Sequence, residues 1–169
     1  MRCHRFWVTP LRCQLCYGSE GGVDRLSKEE RSELMKKVRR SGTELEMILR
    51  RALHRHGLRY VIGDRRLPGS PDLVFPRYKT VVFVHGCFWH GHSCRQGRLP
   101  MTNRDFWFAK ISANKARDAT KERALHSLGW RVITVWQCEF DKLAEGALDA
   151  FATALRSRII DGCAPLEQR

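Results

Sequence analysis

The stretch Asp72-Leu-Val-Phe-Pro-Arg-Tyr-Lys-Thr-Val-Val-Phe-Val84 decides the fold. Two short runs rich in β-branched and aromatic residues, 72–75 and 80–84, flank a turn that opens with Pro76. Because such runs separated by a turn favour paired strands, this segment predicts an antiparallel β-hairpin. In the second run, residues 81–84 are all apolar, which indicates a buried strand.

Helical patterns lie on both sides of the hairpin. Upstream, Thr43-Glu-Leu-Glu46 is a capping box that opens a helix, and Gly57 is suited to its end. A short strand over 58–62 and a Gly/Pro-rich loop over 63–71 then lead into the hairpin. Downstream, the patterns predict a helix over 105–128 ending at Gly129, a buried strand over 130–136 and an amphipathic helix over 147–160. This order predicts an α/β fold with a mixed central sheet flanked by helices.

The two ends of the chain differ from the middle. Residues 1–26 contain three cysteines and little periodicity, which indicates a poorly ordered N-terminal extension. Residues 27–40 (SKEERSELMKKVRR) predict a basic amphipathic helix whose apolar stripe is so narrow that it orders only against a partner. We therefore expect one domain over 27–160 and a tail over 161–169.

The composition narrows the class of function. A formal net charge of +13 in 169 residues attracts polyanions, so nucleic acid is the expected partner. The alternative is a basic surface that only aids solubility. No run of about 18 apolar residues is present, so no membrane span is expected. Seven cysteines at uneven spacing are not typical of a disulfide framework and favour a reducing compartment, the cytoplasm.

The segment His85-Gly-Cys-Phe-Trp-His-Gly-His-Ser-Cys94 contains a set of soft metal ligands. They are Cys87, His92 and Cys94, and Cys138 beyond the strand 130–136 is a candidate fourth. Three thiolates and one imidazole suit a tetrahedral structural zinc ion. The alternative is that Cys87 and Cys138 are small buried hydrophobic residues.

His85 and His90 are not part of that set, and they flank the aromatic pair Phe88-Trp89. On a strongly basic protein, aromatic residues in a loop suit stacking on bases or wedging between base steps. The alternative is that Phe88 and Trp89 cover the metal site as a small core.

Asp72 opens a strand directly after Pro71, as does the metal-binding carboxylate of restriction-type nucleases. In those enzymes an acidic-x-Lys sequence follows on the next strand, and residues 81–84 lack it. His90 is therefore the candidate general base, because a near-neutral imidazole can take a proton from water at cellular pH. A lone Pro-Asp pair is otherwise most often a turn.

Together these motifs resemble the very short patch repair (Vsr) DNA mismatch endonucleases, bacterial enzymes that nick DNA at T·G mismatches. The resemblance covers about residues 30–140, and the block His85-Gly-Cys-Phe-Trp-His90 is highly specific. The segments that carry it are Thr43–Glu46, Leu67–Asp72, Val84–Cys94, Asp105–Trp107, Asn114–Asp118, Leu128–Val132 and Trp136–Cys138.

The resemblance implies a restriction-endonuclease-like fold with a structural zinc and a catalytic magnesium ion. Asp72 and the backbone carbonyl of Val84 would hold the magnesium; the family more often has threonine at the position of Val84. His90 would activate the attacking water, and His85 would assist at the scissile phosphate or the leaving group. Glu46 would act near the magnesium, through water.

The resemblance also implies how DNA is recognised. Phe88 and Trp89 would wedge into the duplex beside the mismatch from one groove, and Met35 on the N-terminal helix would insert from the other side. The implied enzyme is a monomer that nicks one strand 5′ to the mispaired T. It would work in the bacterial cytoplasm, at the nucleoid when bound to DNA, ahead of downstream repair proteins.

Two alternatives to this function remain. One is a zinc-containing, restriction-like nickase with another DNA target. The other is a non-catalytic DNA-binding module, against which the presence of both Asp72 and His90 argues, because a protein that only binds does not need both.

Overall fold

The structure, a computed structural model, describes residues 42–161 and, upstream of them, Glu33. Its helices and strands follow one another in this order: α1 (Glu44–Arg55), β1 (Val61–Ile62), β2 (Leu73–Phe75), β3 (Thr80–His85), α2 (Arg104–Ser127), β4 (Arg131–Trp136), α3 (Gln137–Phe140) and α4 (Glu145–Asp161). The extension predicted over 1–26 lies outside the described residues. So do Met35 and all of the helix predicted over 27–40 except Glu33, and all of the tail except Asp161.

The four strands form one mixed sheet in the order β1-β2-β3-β4. The predicted hairpin is confirmed, because β2 and β3 pair antiparallel from Leu73↔Val82 to Phe75↔Thr80. Strand β1 is also antiparallel to β2. Strand β4 pairs parallel to β3 along its whole length and ends at His85↔Trp136. The predicted α/β class with a mixed central sheet is thus confirmed.

Helices cover both faces of the sheet, which explains why residues 81–84 of β3 are all apolar. Side chains alternate between the two faces of a strand, so Val82 and Val81 enter different cores. One core joins Val82 to α1 and α4; its members include Leu49, Leu53, Phe75, Val135, Leu155 and Ile159. The other core joins Val81 to Leu125 of α2; its remaining buried members are Val74 and Phe83.

Two elements differ from the predictions. The strand predicted over 58–62 is observed only at Val61–Ile62, because Leu58 turns into the core and is 2% exposed. The short helix α3 was not predicted, since four residues are too few for a helical period to be recognised. The predicted capping box is confirmed, with the backbone N–H of Glu46 donating to Thr43 Oγ1 at 3.3 Å.

Helix α2 has 24 residues, but only Ile111 and Leu125 are buried. The stripe that joins them at helical spacing includes the polar residues Asn114, Asp118 and Lys121. This helix is therefore anchored at few apolar positions and presents charged and amide groups along the same side. Neither α2 nor any other helix in the described part of the chain is long and apolar enough to cross a membrane.

Candidate functional site

The strand directions collect the predicted site residues at one edge of the sheet. His85 ends β3, and Trp136, its partner in the parallel register, ends β4. Cys138 follows in α3, two residues beyond Trp136. Asp72 stands just before β2, and because β2 is antiparallel to β3, its start lies beside the end of β3.

The structure brings together the four predicted soft ligands. The donor atoms of Cys87, His92, Cys94 and Cys138 all lie within 4.8 Å of one another, and His92 Nδ1 is 3.4 Å from Cys138 Sγ. Zinc–sulfur bonds of about 2.3 Å place tetrahedral thiolates about 3.8 Å apart, so the cluster has the right size for such an ion. The four residues therefore form a candidate metal centre between the β3–α2 loop and α3.

The three cysteines of the cluster differ in how readily they ionise. Burial raises the pKa of Cys87 and of Cys138. At Cys94 burial also opposes ionisation, but hydrogen bonds from His92, Cys87 and Cys138 outweigh it and lower the pKa to about 7. A thiolate is thus accessible near neutral pH beside two thiols that resist ionisation, and a bound cation would stabilise all three as thiolates.

A second cluster lies beside the first. The rings of His85 and His90 are stacked 3.7 Å apart at 8°, and His90 Nδ1 is 2.6 Å from Asp118 Oδ2. Burial and the neighbouring His90 lower the pKa of His85 to about 4, so His85 is uncharged at neutral pH. Because a carboxylate accepts the Nδ1–H of His90, the Nε2 atom of that ring is left as a proton acceptor.

Asp72 lies next to Val84, as predicted. Its Oδ2 accepts a hydrogen bond from the backbone N–H of Val84 at 2.8 Å. The N–H and C=O of a strand residue face the same neighbour, so the Val84 carbonyl also faces this side. Burial, reinforced by the charge of Glu46, raises the pKa of Asp72 to about 6. A carboxylate and a carbonyl oxygen form a donor set that suits a hard divalent cation such as magnesium.

Glu46 lies close enough to Asp72 to raise its pKa, but its carboxylate already has partners. It accepts hydrogen bonds from Thr43 Oγ1 at 3.0 Å and from the Gly42 N–H at 3.0 Å, and it forms an ion pair with Arg50 at 2.7 Å. These contacts cap α1 and fix its first turn beside the site. The predicted action of Glu46 near a metal stays a prediction.

Phe88 and Trp89 are half-buried, and they pack on the first turns of α2. Trp107 completes a three-ring cluster, with centroids 5.1 Å from Phe88 and 6.0 Å from Trp89. Asn114 Nδ2 donates to the Trp89 carbonyl at 2.7 Å, which ties this loop to α2. The pair is thus partly a small core and partly open to a ligand. Met35, the third predicted wedge, lies outside the described residues.

Sequence reasoning assigned no role to Trp107, Asn114, Asp118 or Lys121. Their signal was a stripe at helical spacing along α2, but the stripe is mostly polar and resembles a solvated face. Gly91 lets α2 approach, because a Cβ there would lie 2.5 Å from Ile111 Cγ2. Gly91 also has φ +62°, a conformation that favours glycine.

Comparison with known proteins identifies the family. A sequence model described as DNA mismatch endonuclease Vsr matches residues 23–96. The type II nicking enzyme V.XorIIP of Xanthomonas oryzae pv. oryzae is 54% identical over 128 residues, which cover 76% of this chain and 93% of that protein. The chain belongs to the Vsr family.

Other Vsr relatives agree with this result. The type II nicking enzyme V.NmeAIP of Neisseria meningitidis is 45% identical over 122 residues, covering 72% of this chain and 87% of that protein. The DNA mismatch endonuclease Vsr of Escherichia coli is 40% identical over 124 residues, covering 72% of this chain and 80% of that protein. The resemblance found in the sequence is thus confirmed, and Vsr membership indicates a nuclease that acts on DNA.

Proposed function

We propose that this endonuclease nicks one strand of duplex DNA at a T·G mismatch, 5′ to the mispaired T, and so initiates very short patch repair. The observation that carries the proposal is one edge of the sheet where Asp72, the His85–His90 pair and the Phe88–Trp89 pair meet. The net charge of +13 and a relative named as a mismatch endonuclease support it. We also propose that the enzyme has the restriction-endonuclease-like fold and acts as a monomer at bacterial cytoplasmic DNA, ahead of other repair proteins.

The proposed chemistry is hydrolysis of a phosphodiester. A water oxygen forms a bond to phosphorus, and the bond between phosphorus and the leaving sugar oxygen breaks. Magnesium held by Asp72 and the Val84 carbonyl would supply a Lewis acid at the phosphate. His90 takes the proton of the attacking water at Nε2, and Asp118 stabilises the resulting imidazolium through its 2.6 Å contact with Nδ1. His85, uncharged, donates a hydrogen bond to the leaving oxygen and keeps its own proton. A water molecule supplies the proton that completes the alcohol, and the His90 imidazolium returns its proton to the hydroxide that remains.

Zinc in the Cys87, His92, Cys94 and Cys138 cluster is proposed to be structural. Four protein donors leave no open position, as in structural rather than catalytic zinc sites. The cluster ties the loop that carries His90 to α3 at the end of β4. Its effect on catalysis is therefore indirect, since it holds the loop in place.

Mismatch selection is proposed to come from the cost of opening the duplex. A T·G wobble pair is more easily unstacked than a Watson–Crick pair, so a wedge is inserted more readily beside it. Phe88 and Trp89 are the proposed wedge, and Met35 is proposed to enter from the opposite groove. Lys110 lies 5.7 Å above the Trp89 ring, which places a cation where the DNA backbone would pass.

A second function is favoured by the names of the relatives. V.XorIIP and V.NmeAIP are both called type II nicking enzymes, which leaves room for a nick at another DNA target. The Asp118–His90 contact argues against a module that only binds DNA, because binding alone does not need an oriented imidazole.

Mapping the nick decides between these functions. Labelled duplexes of one sequence, fully paired or carrying each single mismatch, are incubated with the protein and Mg²⁺. We expect one nick, on the T strand of the T·G duplex and 5′ to the T, and none when EDTA replaces Mg²⁺. Equal nicking of the fully paired duplex would favour the second function and contradict mismatch selection.

Trp89→Ala is expected to reduce the preference for T·G over T·A duplexes about tenfold, since one stacking contact contributes about 1–3 kcal/mol. The rates of nicking and the dissociation constants on both duplexes give the measurement. If both duplexes lose affinity equally, Trp89 belongs to the small core alone and does not discriminate between base pairs.

A further inference from the structure

We propose that Lys121 binds a non-bridging oxygen of the scissile phosphate and stabilises the charge that develops there during hydrolysis. Lys121 is on α2, outside the segments that carry the resemblance to the family. The inference rests on the proposed nicking activity, because it assumes that a phosphodiester is cut beside Asp72 and His90.

The first support is the position of the Lys121 amine. Nζ lies 3.3 Å from Asp118 Oδ1, and the other oxygen of that carboxylate binds His90 Nδ1 at 2.6 Å. Burial has the largest effect on the pKa of both Asp72 and His85, and the Lys121 charge acts on both against the positively charged or for the negatively charged form, so the amine lies near the two groups. The ammonium therefore stands at the same site as the proposed metal ligand and the proposed base.

The second support is the packing that directs the Lys121 side chain toward the site. Gly69 belongs to the loop that leads into Asp72, and it has φ +78°. A Cβ at Gly69 would lie 2.7 Å from Lys121 Cδ, so the aliphatic stem occupies the space that a larger residue would need. The side chain of Lys121 is 39% exposed, which leaves the amine open to DNA while the stem is packed.

The third support is that the amine has donors to spare. An ammonium has three N–H groups, and within residues 42–161 the hydrogen bond to Asp118 is the only one that Lys121 makes. Arg50 also lies near Asp72, but it is only 9% exposed and its guanidinium is bound to Glu46 at 2.7 Å. Of these two cations, Lys121 is therefore the better placed to bind a phosphate oxygen.

The chemistry of the step calls for such a cation. As the water oxygen bonds to phosphorus and the bond to the leaving oxygen breaks, negative charge grows on the phosphate oxygens. A cation already in place stabilises that transition state more than the ground state. Strand β3 supplies no lysine of its own, since Val81–Val84 are all apolar. Helix α2 instead places Lys121 at the same edge of the sheet.

Lys121→Gln tests the inference, with Arg123→Gln as its control. Arg123 is on the same helix and bonds only to Ala119 and Thr120 among the described residues, so the control also removes one positive charge from α2. We expect Lys121→Gln to lower the single-turnover nicking rate about 100-fold, as loss of a single transition-state donor does. Lys121→Arg should recover most of that loss. The dissociation constant for DNA at fixed salt and the thermal unfolding midpoint should match those of Arg123→Gln.

A sulfur substitution separates a phosphate contact from a role in positioning Asp118. Each non-bridging oxygen of the scissile phosphate is replaced in turn by sulfur. In the wild type we expect sulfur at the oxygen bound by Lys121 to slow nicking, and in Lys121→Gln the effect of that one substitution should largely disappear while any effect at the other oxygen stays. Identical sulfur effects in both proteins would overturn the contact, as would a Lys121→Gln rate equal to that of Arg123→Gln.

The comparison is made on whichever duplex the wild type cuts. A target other than T·G would correct the proposed function and leave the Lys121 inference standing. Wild-type protein that cuts no duplex would overturn both.

Discussion

His90→Ala is expected to slow nicking by orders of magnitude while the protein still folds and binds the T·G duplex. A general base contributes about 10²–10⁴-fold to a rate, so the single-turnover rate should fall by that range. The neighbouring imidazole cannot replace it, because burial lowers the pKa of His85 to about 4 and makes it a weak base. Rates at saturating protein, together with the dissociation constant for the duplex, separate loss of chemistry from loss of binding.

Two further variants sharpen this test. Asp118→Asn keeps the His90 ring but removes the carboxylate 2.6 Å from Nδ1, so an intermediate loss of rate is expected. His126 is exposed and lies on α2, as Asp118 does, so His126→Ala should nick normally. Normal nicking by His90→Ala at neutral pH would remove His90 from the mechanism and leave the Asp118 contact as a structural one.

Cys138→Ser is expected to release the bound metal and to lower the free energy of unfolding by at least about 4 kcal/mol, because loss of a metal is among the causes of the largest single-substitution effects. The effect is large because Cys138 is the one donor of the four that lies outside the loop 87–94. Without it, the loop is no longer joined to α3. Elemental analysis of the purified protein and urea unfolding give the two measurements.

Cys163→Ser is the matched control, because the four described donors already make a complete tetrahedral set. It should keep both the metal content and the unfolding midpoint of the wild type. Wild-type protein without zinc would refute the zinc assignment, and full zinc content in Cys138→Ser would refute the assignment of this fourth ligand.

Local patterns were enough for much of the fold. The hairpin over 72–84 and the helix that begins after Thr43 rest on neighbouring residues, and both were predicted correctly. Strand β1 was predicted too long, because the apolar Leu58 serves the core rather than the sheet. Residue types in a short segment thus predict pairing and capping, but a single apolar residue does not say which element it packs against.

The site was predictable to the extent that its residues have distinctive chemistry. Cys138 could be assigned to the cluster because thiolates are soft ligands, and the parallel pairing of β3 and β4 carries it there. Asp118 and Lys121 could not be assigned, because a helical period shows which residues share a face and not what that face meets. Only the packing of α2 against Gly91 and Gly69 reveals this.

The packing of α2 also has a consequence for where a strand is cut. Trp107, in the aromatic cluster, and Asp118, beside His90, are on one uninterrupted helix. Eleven residues separate them, which corresponds to about 16 Å along the axis. If Phe88 and Trp89 meet the bases and His90 meets the phosphate, as proposed, this helix would hold the two groups at a fixed separation. The distance between the recognised base and the nick would then be set by the protein, and a change of target base need not change it.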